Sequence, residues 1–450
     1  MRWLFMVFAA FALAGCSTMR DVSRDHLLPV DDPPTVDLGA YRSVQDRDDG
    51  QNPDLAVAAA MSGGGHRAAN FGVGVLLALE SFSVGEETLD LLREIDYFST
   101  VSGGGFAAGV YISSLYDHLQ LPGGRTGYSL ARALQRDRKR LLVNLERDYH
   151  DTVFGGLLCL RCFGTADAGD ILERKLDRYV LGAKYRDPRR SMTLRDIFHP
   201  AGSTAPVTMP YWVANATVYE NGARFQFTPD MLARYDVTGY THYLKKHTLG
   251  GDRYDLPLAV GLKASASFPV AFPATTLCCQ PGRDALNPYL HLMDGGLVDN
   301  MGYRTAIELL KQDRARRKVL LIIDAYKGVS LPHSRSEYSP AGAQVGYRIM
   351  NISLDNDHSR LDTNVRALLP PADQTDVTPI EVITLSFNAL RPAPGTPDTD
   401  AMFALYHDAR AVPTSLNITR REQELLMDAG RAAVQAQSAE IMGHLLSRQP

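Results

Sequence analysis

The sequence predicts a three-layer α/β/α sandwich around a mostly parallel central sheet. The run DLAVAAAM at residues 54–61 is short, apolar and followed by glycines, which is typical of a strand buried on both faces. Residues 68–80 then carry apolar side chains at helical spacing. The same order recurs, with a strand at residues 95–101 and a helix at residues 105–115. Strands that alternate with helices in this way build βαβ units.

Later segments continue the alternation. Further apolar runs predict strands at residues 209–213, 291–293, 319–323 and 382–385. Thr419-Arg420-Arg421-Glu422 has the pattern of a capping box, which predicts a long C-terminal helix that ends near Leu446. We therefore predict one catalytic domain over residues 54–450.

The composition is that of a large globular domain. The chain has 450 residues, of which 45% are hydrophobic, so it can bury a substantial core. The formal net charge of −4 gives no reason to expect a nucleic-acid partner. Residues 120–205 differ in sequence pattern from the rest of the chain and are predicted to be a helical insertion or cap. Within them, residues 128–149 form a basic helical pattern, which fits either a contact with anionic lipid or, as we favour, a solvated helix packed on the sheet.

The N-terminal segment predicts export. Residues 1–15 contain one arginine and then an apolar stretch that is too short to span a bilayer, as in a signal peptide. Leu13-Ala14-Gly15-Cys16 resembles the lipobox of bacterial lipoproteins, and that resemblance implies cleavage before Cys16 and a diacylglycerol on its sulfur. Ser17 resembles the residue that sorts lipoproteins to the outer membrane. Residues 16–53, rich in Asp, Pro and Ser, are then predicted to be a flexible tether.

These features predict a lipid-anchored protein of the bacterial cell envelope, at the outer membrane and facing the periplasm. That compartment is oxidising, so the remaining cysteines favour disulfides. They form two clusters, Cys159 with Cys162 and Cys278 with Cys279. We favour a disulfide between the clusters over a zinc site, because the second pair lacks the usual ligand spacing.

Ser102 is the first candidate for chemistry. In DYFSTVSGGGFAAGVY, residues 96–111, it follows a strand and precedes three glycines and a helix. This is the arrangement of a nucleophile elbow, where a sharp turn presents a serine at the positive end of a helix. The first glycine position of the usual GxSxG pattern is held by Thr100.

A glycine-rich loop is the second candidate. Gly63, Gly64 and Gly65 follow the first strand and permit backbone N–H groups to point together at an anion, as in an oxyanion hole. Arg67 can anchor this loop or hold a phosphate. A dinucleotide site is the alternative, but the acidic residue it requires about twenty positions on would fall in a loop-like stretch.

Two carboxylates compete for the role of a base. Asp294 ends a short apolar strand and is followed by two glycines, and Asp324 ends the strand at residues 319–323. Carboxylates at such strand ends commonly face the active edge of an α/β sheet, although an aspartate before glycine also forms simple turns.

Taken together, these motifs resemble the patatin-like phospholipases. The order is GGGxR at residues 63–67, the serine elbow, and DGG at residues 294–296. Ala264 to Pro269 with Phe272-Pro273 resembles the ASxxxP…FP block of that family, and Asn300 stands where the family also has asparagine. Ala68, where the family commonly has glycine, is closer to its cytosolic phospholipase A branch.

The resemblance implies a lipid acyl hydrolase of the phospholipase A or lysophospholipase type that acts on phospholipids or other acyl esters. It implies a dyad without histidine, in which Ser102 is the nucleophile and Asp294 its base, with oxyanion donors from Gly63, Gly64 and Gly65 and support from Arg67. Neither a metal nor a cofactor is expected. Two alternatives remain open, namely an α/β-hydrolase triad that uses His358 or His407, and a non-catalytic lipid-binding lipoprotein.

Overall fold

In the computed structural model of this chain, a central sheet is covered by helices on both sides. The residues that the structure describes are 35–47, 51–124, 126–136, 168–182, 191–242, 245–269, 272–279, 289–328, 343–371, 378–391, 400–416 and 418–446. The signal peptide and Cys16 lie outside them, so lipidation stays a prediction.

The strands are short and often entirely buried. Their bounds are β1 Leu55–Met61, β2 Phe82–Val84, β3 Glu87–Leu89, β4 Tyr97–Thr100, β5 Tyr211–Val218, β6 Arg224–Gln226, β7 Val237–His242, β8 Lys245–Thr248, β9 Thr275–Cys279, β10 Tyr289–Asp294, β11 Arg317–Asp324 and β12 Ile380–Ser386. Among the described residues, ten strands form one sheet in the order β12-β11-β1-β4-β5-β10-β9-β7-β8, with β6 paired to β5.

The helices alternate with these strands. Their bounds are α1 Gly65–Glu80, α2 Gly103–Leu119, α3 Leu130–Arg136, α4 Ala168–Lys175, α5 Pro229–Arg234, α6 Leu258–Ser265, α7 Tyr303–Gln312, α8 Ala343–Ser359, α9 Leu361–Leu368, α10 Ala401–Ala411, α11 Arg420–Ala436 and α12 Ser438–Ile441. The predicted capping box at Thr419 and Glu422 is formed and begins α11.

The sheet confirms the predicted architecture. Strands β12, β11, β1, β4 and β5 are parallel neighbours and form the core of the α/β fold. Beyond β5 the pairing becomes antiparallel through β10, β9, β7 and β8. Of these four, only β10 was predicted, because β7 and β8 are mixed in polarity and carry a weak strand pattern.

Small residues at the centre of the sheet allow the layers to approach closely. All seven residues of β1 are buried, and four of them are alanine. Helix α1 lies over this strand and also packs against α11, where a Cβ on Gly74 would stand 2.1 Å from the carbonyl oxygen of Met427. The C-terminal helix therefore holds α1 in place, and with it the glycine loop at the beginning of α1.

The tether prediction needs a correction between residues 35 and 47. Val36, Tyr41 and Val44 are buried there, and the Tyr41 hydroxyl donates a hydrogen bond to Asp230. Arg47 Nη1 donates to the carbonyl of Ile95 over 3.1 Å. The prediction of a flexible segment up to residue 53 was wrong for this stretch, because scattered apolar side chains without periodicity still find sites on the domain.

Parts of the predicted insertion at residues 120–205 are helical, namely α3 and α4. The cap-like function of this region stays a prediction, because residues 137–167 and 183–190 lie outside the described part of the chain. No helix within the described ranges combines the length and apolarity needed to cross a bilayer.

Candidate active site

Ser102 sits on a strained turn between β4 and α2. Its backbone has φ 48° and ψ −119°, a conformation that is rare for a residue with a side chain. Its N–H donates a hydrogen bond to Oγ of Ser265, over 2.9 Å, from the last residue of α6. Strain of this kind persists only where the surroundings fix it, and it is typical of nucleophile elbows. The elbow predicted from sequence is therefore present in the described structure.

Thr100 fits this elbow without disturbing it. Its side chain is fully buried, and Oγ1 accepts a hydrogen bond from Nε1 of Trp212 over 2.9 Å. A Cβ on Gly105 of α2 would lie 3.2 Å from that oxygen. The β-branched residue is tolerated because the helix offers a glycine opposite it.

The glycine loop lies directly against the elbow. A Cβ on Gly103 would stand only 2.0 Å from the carbonyl oxygen of Gly65, so no side chain fits between the two turns. A Cβ on Gly63 would lie 3.5 Å from Cβ of Ser102. The loop and the N-termini of α1 and α2 thus converge beside the serine, where helix dipoles favour negative charge.

The role predicted for Gly63 needs a correction. Its N–H already donates to the carbonyl oxygen of Asn300 over 2.9 Å, so it is not available to a ligand. Within the described residues, the N–H groups of Gly64 and Gly65 have no backbone acceptor. Those two amides remain as candidate oxyanion donors.

Arg67 anchors this loop from behind. Its side chain is buried, and its Nε donates to the carbonyl of Ala325 over 2.9 Å. Its Nη1 donates to Oγ1 of Thr414 over 2.6 Å and to the carbonyl of Val412. These contacts tie the beginning of α1 to the end of β11 and to the segment before α11. The role of Arg67 in supporting the oxyanion donors stays a prediction.

Asp294 reaches the serine through strand register. Thr100 pairs with Ala214 on β5, and Asp294 pairs with Ala216 on the same strand. Asp294 is therefore two residues beyond Thr100 along β5, which is the level of Ser102. Strand β5 continues beyond Ala214, where its pairing with β4 ends. Strand β10 pairs antiparallel with this continuation, so its last residue, Asp294, lies at the elbow.

The carboxylate of Asp294 lies beside the elbow. The Gly296 N–H donates a hydrogen bond to its Oδ1 over 2.8 Å, and the Ser102 side chain is close enough to act as a hydrogen-bonding group that lowers the pKa of Asp294. Burial raises the pKa of Asp294 to about 7, although both hydrogen bonds act in the opposite direction. A carboxylate with this pKa is a far better base than an exposed aspartate.

Asn300 and Ser265 are site residues whose roles sequence reasoning missed. Oδ1 of Asn300 would lie 2.7 Å from a Cβ on Gly63 and 2.8 Å from one on Gly296, so its side chain stands between the two glycine turns. The Asn300 N–H donates to Oδ2 of Asp357, on helix α8. Both residues belong to sequence blocks already noted, but the blocks do not reveal which backbone groups they hold.

The competing carboxylate, Asp324, has a different partner. Its Oδ2 lies 2.9 Å from Nδ1 of His358, and the imidazole stacks on the ring of Tyr326 with centroids 3.9 Å apart. His407 packs against Phe403. Among the described residues, no hydrogen bond joins either histidine to Ser102, whereas the Ser102 side chain acts on the pKa of Asp294.

Cys278 is the one cysteine whose side chain lies within the described part of the chain. Cys278 is a buried free thiol on β9, with Sγ 3.7 Å from Oγ1 of Thr241. Cys159 and Cys162 lie outside the described residues, as does the side chain of Cys279. Cys278 therefore forms no disulfide in this structure, and pairing among the other three stays a prediction.

A serine hydroxyl beside a buried carboxylate of raised pKa and two amides without a backbone acceptor can transfer an acyl group. The carboxylate accepts the hydroxyl proton while the oxygen attacks a carbonyl, and fixed N–H groups stabilise the resulting oxyanion.

More than half of the chain matches a known protein family. Residues 59–307 match the model of the patatin-like phospholipase family, and this range includes the glycine loop, Ser102 and Asp294. No curated protein sequence matches the chain at a significant level.

Solved structures of human GIVD cytosolic phospholipase A2 are similar to the chain, with a TM-score of 0.45. The identity is 12% for the enzyme alone, over 89% of this chain and 61% of that one. The identity is 14% for the complex of that enzyme with methyl gamma-linolenyl fluorophosphonate, over 89% of this chain and 60% of that one. This chain thus spans about three fifths of the length of those proteins.

Proposed function

The chain belongs to the patatin-like phospholipase family, a family of lipid hydrolases, and we propose that it cleaves acyl esters with a dyad of Ser102 and Asp294. The observation that carries this proposal is the position of Asp294, which strand register places at the level of Ser102 and whose pKa burial raises to about 7. A dyad must compensate for the missing imidazole, and burial of the aspartate supplies the required basicity.

The proposed reaction has two steps. Oγ of Ser102 attacks the ester carbonyl as its proton passes to the carboxylate of Asp294, and the amides of Gly64 and Gly65 stabilise the tetrahedral oxyanion. The proton then passes to the leaving alcohol, which leaves an acyl-serine. Water, deprotonated by the same carboxylate, hydrolyses this ester and restores the free enzyme.

We propose a membrane phospholipid or lysophospholipid as the substrate. The support is the family together with the N-terminal sequence, which predicts a lipid on Cys16. Such an anchor would hold the domain at the envelope membrane, since each buried methylene contributes about 0.8 kcal/mol.

A fluorophosphonate probe tests for the nucleophile. We expect the purified chain to be labelled with one equivalent, with the adduct on the peptide that contains Ser102, because an activated serine attacks the phosphorus as it would a carbonyl. The Ser102→Ala variant should remain unlabelled. Mass spectrometry of the intact protein and of its tryptic peptides measures both results.

Absence of labelling in the folded wild-type chain, together with binding of phospholipid vesicles, would favour the alternative of a non-catalytic lipid-binding protein. Labelling of another serine in both proteins would contradict the assignment of Ser102. Ser114→Ala is a matched control, since the side chain of this buried serine bonds to Tyr111 and Tyr128 and, among the described residues, to no group of the candidate site. Its labelling should equal that of the wild type.

The raised pKa of Asp294 predicts a defined pH dependence. The base must be deprotonated to act, so kcat/KM should be constant above about pH 7 and fall about tenfold per pH unit below it. Activity is lost at low pH rather than at high pH, because burial raises the pKa of Asp294 and so favours the protonated, inactive carboxylic acid. The measurement is the rate of hydrolysis of a soluble short-chain ester between pH 5 and 9.

An exposed aspartate would give a different curve. If the profile stayed flat down to pH 5, the base would have an ordinary carboxylate pKa and the proposed role of burial would be refuted. Circular dichroism at each pH checks that the loss at low pH reflects titration rather than unfolding.

A further inference from the structure

Three metal-ligating side chains converge where helix α4 meets strand β7. Asp170 and Glu173 are three residues apart on α4 and therefore lie on one side of it. His242 is the last residue of β7. One donor atom from each of the three lies within 4.8 Å of the other two. None of these residues takes part in the site around Ser102.

The donor atoms are spaced like ligands of one small ion. Nδ1 of His242 lies 2.9 Å from Oε1 of Glu173 and 3.5 Å from Oδ1 of Asp170. Two ligand atoms that each lie about 2.0–2.2 Å from a shared zinc ion are about 3.0–3.5 Å apart in tetrahedral or octahedral geometry. The observed separations therefore match two edges of such a coordination polyhedron.

Burial provides a second and independent indication. Glu173 is only 7% exposed and Asp170 only 3%. Oε2 of Glu173 is buried and has no hydrogen-bond partner within the described part of the chain. A buried carboxylate oxygen without a partner is costly, and a cation bound at this carboxylate would remove that cost.

The local charge also favours a cation. Asp177, one helical turn further along, adds a third carboxylate to the same region. The charges of Glu173 and Asp177 both raise the pKa of the nearby Tyr240. Lys263 supplies one positive charge close to His242. Carboxylates and an imidazole are ligands that suit a divalent ion.

We propose that Asp170, Glu173 and His242 bind a divalent transition-metal ion, with Zn²⁺ as the best match to one imidazole and two carboxylates. Three protein ligands leave one position for water. The ion would tie α4, at the border of the predicted insertion, to strand β7. Helix α4 also packs against α6, which carries Ser265, so the ion would brace the layer behind the elbow.

A protonated histidine is the competing explanation for the cluster. Burial lowers the pKa of His242, but the contact with Glu173 and the charges of both carboxylates outweigh it, so that the pKa is raised overall. An imidazolium between two carboxylates would then need no metal. The two explanations differ in whether Zn²⁺ binds stoichiometrically and with these ligands.

Calorimetric titration of the full chain, stripped with EDTA and held at pH 7.5, tests the proposal. We expect one equivalent of Zn²⁺ to bind with a dissociation constant of about 1 µM or lower and to raise the melting temperature. Glu173→Gln keeps the shape of the side chain but replaces the anionic carboxylate by a neutral amide, a much weaker ligand for Zn²⁺, so it should weaken binding about 100-fold.

Glu220→Gln is the matched control, because it removes a carboxylate that lies 2.6 Å from the exposed His291 in a pair with only two donors. It should bind Zn²⁺ like the wild type. The proposal is overturned if Zn²⁺ does not bind saturably, or if Glu173→Gln binds it as tightly as the wild type, which would point to the cysteines. An equal loss of Zn²⁺ affinity in Glu173→Gln and Glu220→Gln would overturn it as well. Asp170→Asn takes the place of Glu173→Gln if circular dichroism shows that the latter is unfolded.

Discussion

Replacement of Asp294 by asparagine should lower kcat for ester hydrolysis by about 10²–10⁴-fold without unfolding the protein. The amide side chain can still accept the hydrogen bond from the Gly296 N–H, but it cannot take the proton of the Ser102 hydroxyl. Because burial disfavours the ionised form of Asp294, loss of the charge should leave the melting temperature unchanged or higher. The measurements are hydrolysis of a micellar ester and thermal unfolding.

His358→Ala and His407→Ala are the controls that separate a dyad from a triad. His358 contacts Asp324 rather than the serine, and His407 packs among aromatic rings of α10. Each variant should retain activity within a few-fold of the wild type. If either histidine variant lost activity as severely as Asp294→Asn, the base would be an imidazole and the α/β-hydrolase alternative would be correct.

Local sequence patterns predicted the parts of the site that depend on local structure. A strand followed by glycines and a helix has few conformations, so Ser102 and the loop at Gly63 to Gly65 could be placed at one sheet edge. The DGG motif marked Asp294 for the same reason, as the end of a strand. Its position beside Ser102 depends instead on the continuation of β5 beyond its pairing with β4 and on the antiparallel register of β10, which the sequence does not encode locally.

Long-range pairing accounts for what the sequence could not predict. The Gly63 N–H is taken by the carbonyl of Asn300, a residue more than two hundred positions away, so three equivalent glycines could not be told apart in advance. The cluster of Asp170, Glu173 and His242 joins an insertion helix to an unpredicted strand. The ligands of such a site have no characteristic spacing along the sequence, and the prediction of no metal site was based only on known ligand spacings.

Replacement of Gly103 by alanine should disable the site even though the substitution adds a single methyl group. That Cβ would lie 2.0 Å from the carbonyl oxygen of Gly65, far inside van der Waals contact. Neither atom can rotate away, because the oxygen belongs to the backbone and the backbone fixes the position of Cβ. The loop must move, and loss of even one oxyanion donor typically lowers kcat by about 10²–10³-fold. Overpacking of this kind also destabilises a fold by about 1–3 kcal/mol.

Comparison with Gly202→Ala isolates the effect of position. A Cβ on Gly202 meets no atom within 4 Å, and its backbone does not require a positive φ, so this variant should match the wild type in kcat and in melting temperature. Fluorophosphonate labelling of Gly103→Ala should be slowed along with hydrolysis, since both reactions need the same donors. If Gly103→Ala were as active as Gly202→Ala, the glycine loop would not have to lie against the elbow, and Gly64 and Gly65 would lose their assignment as oxyanion donors.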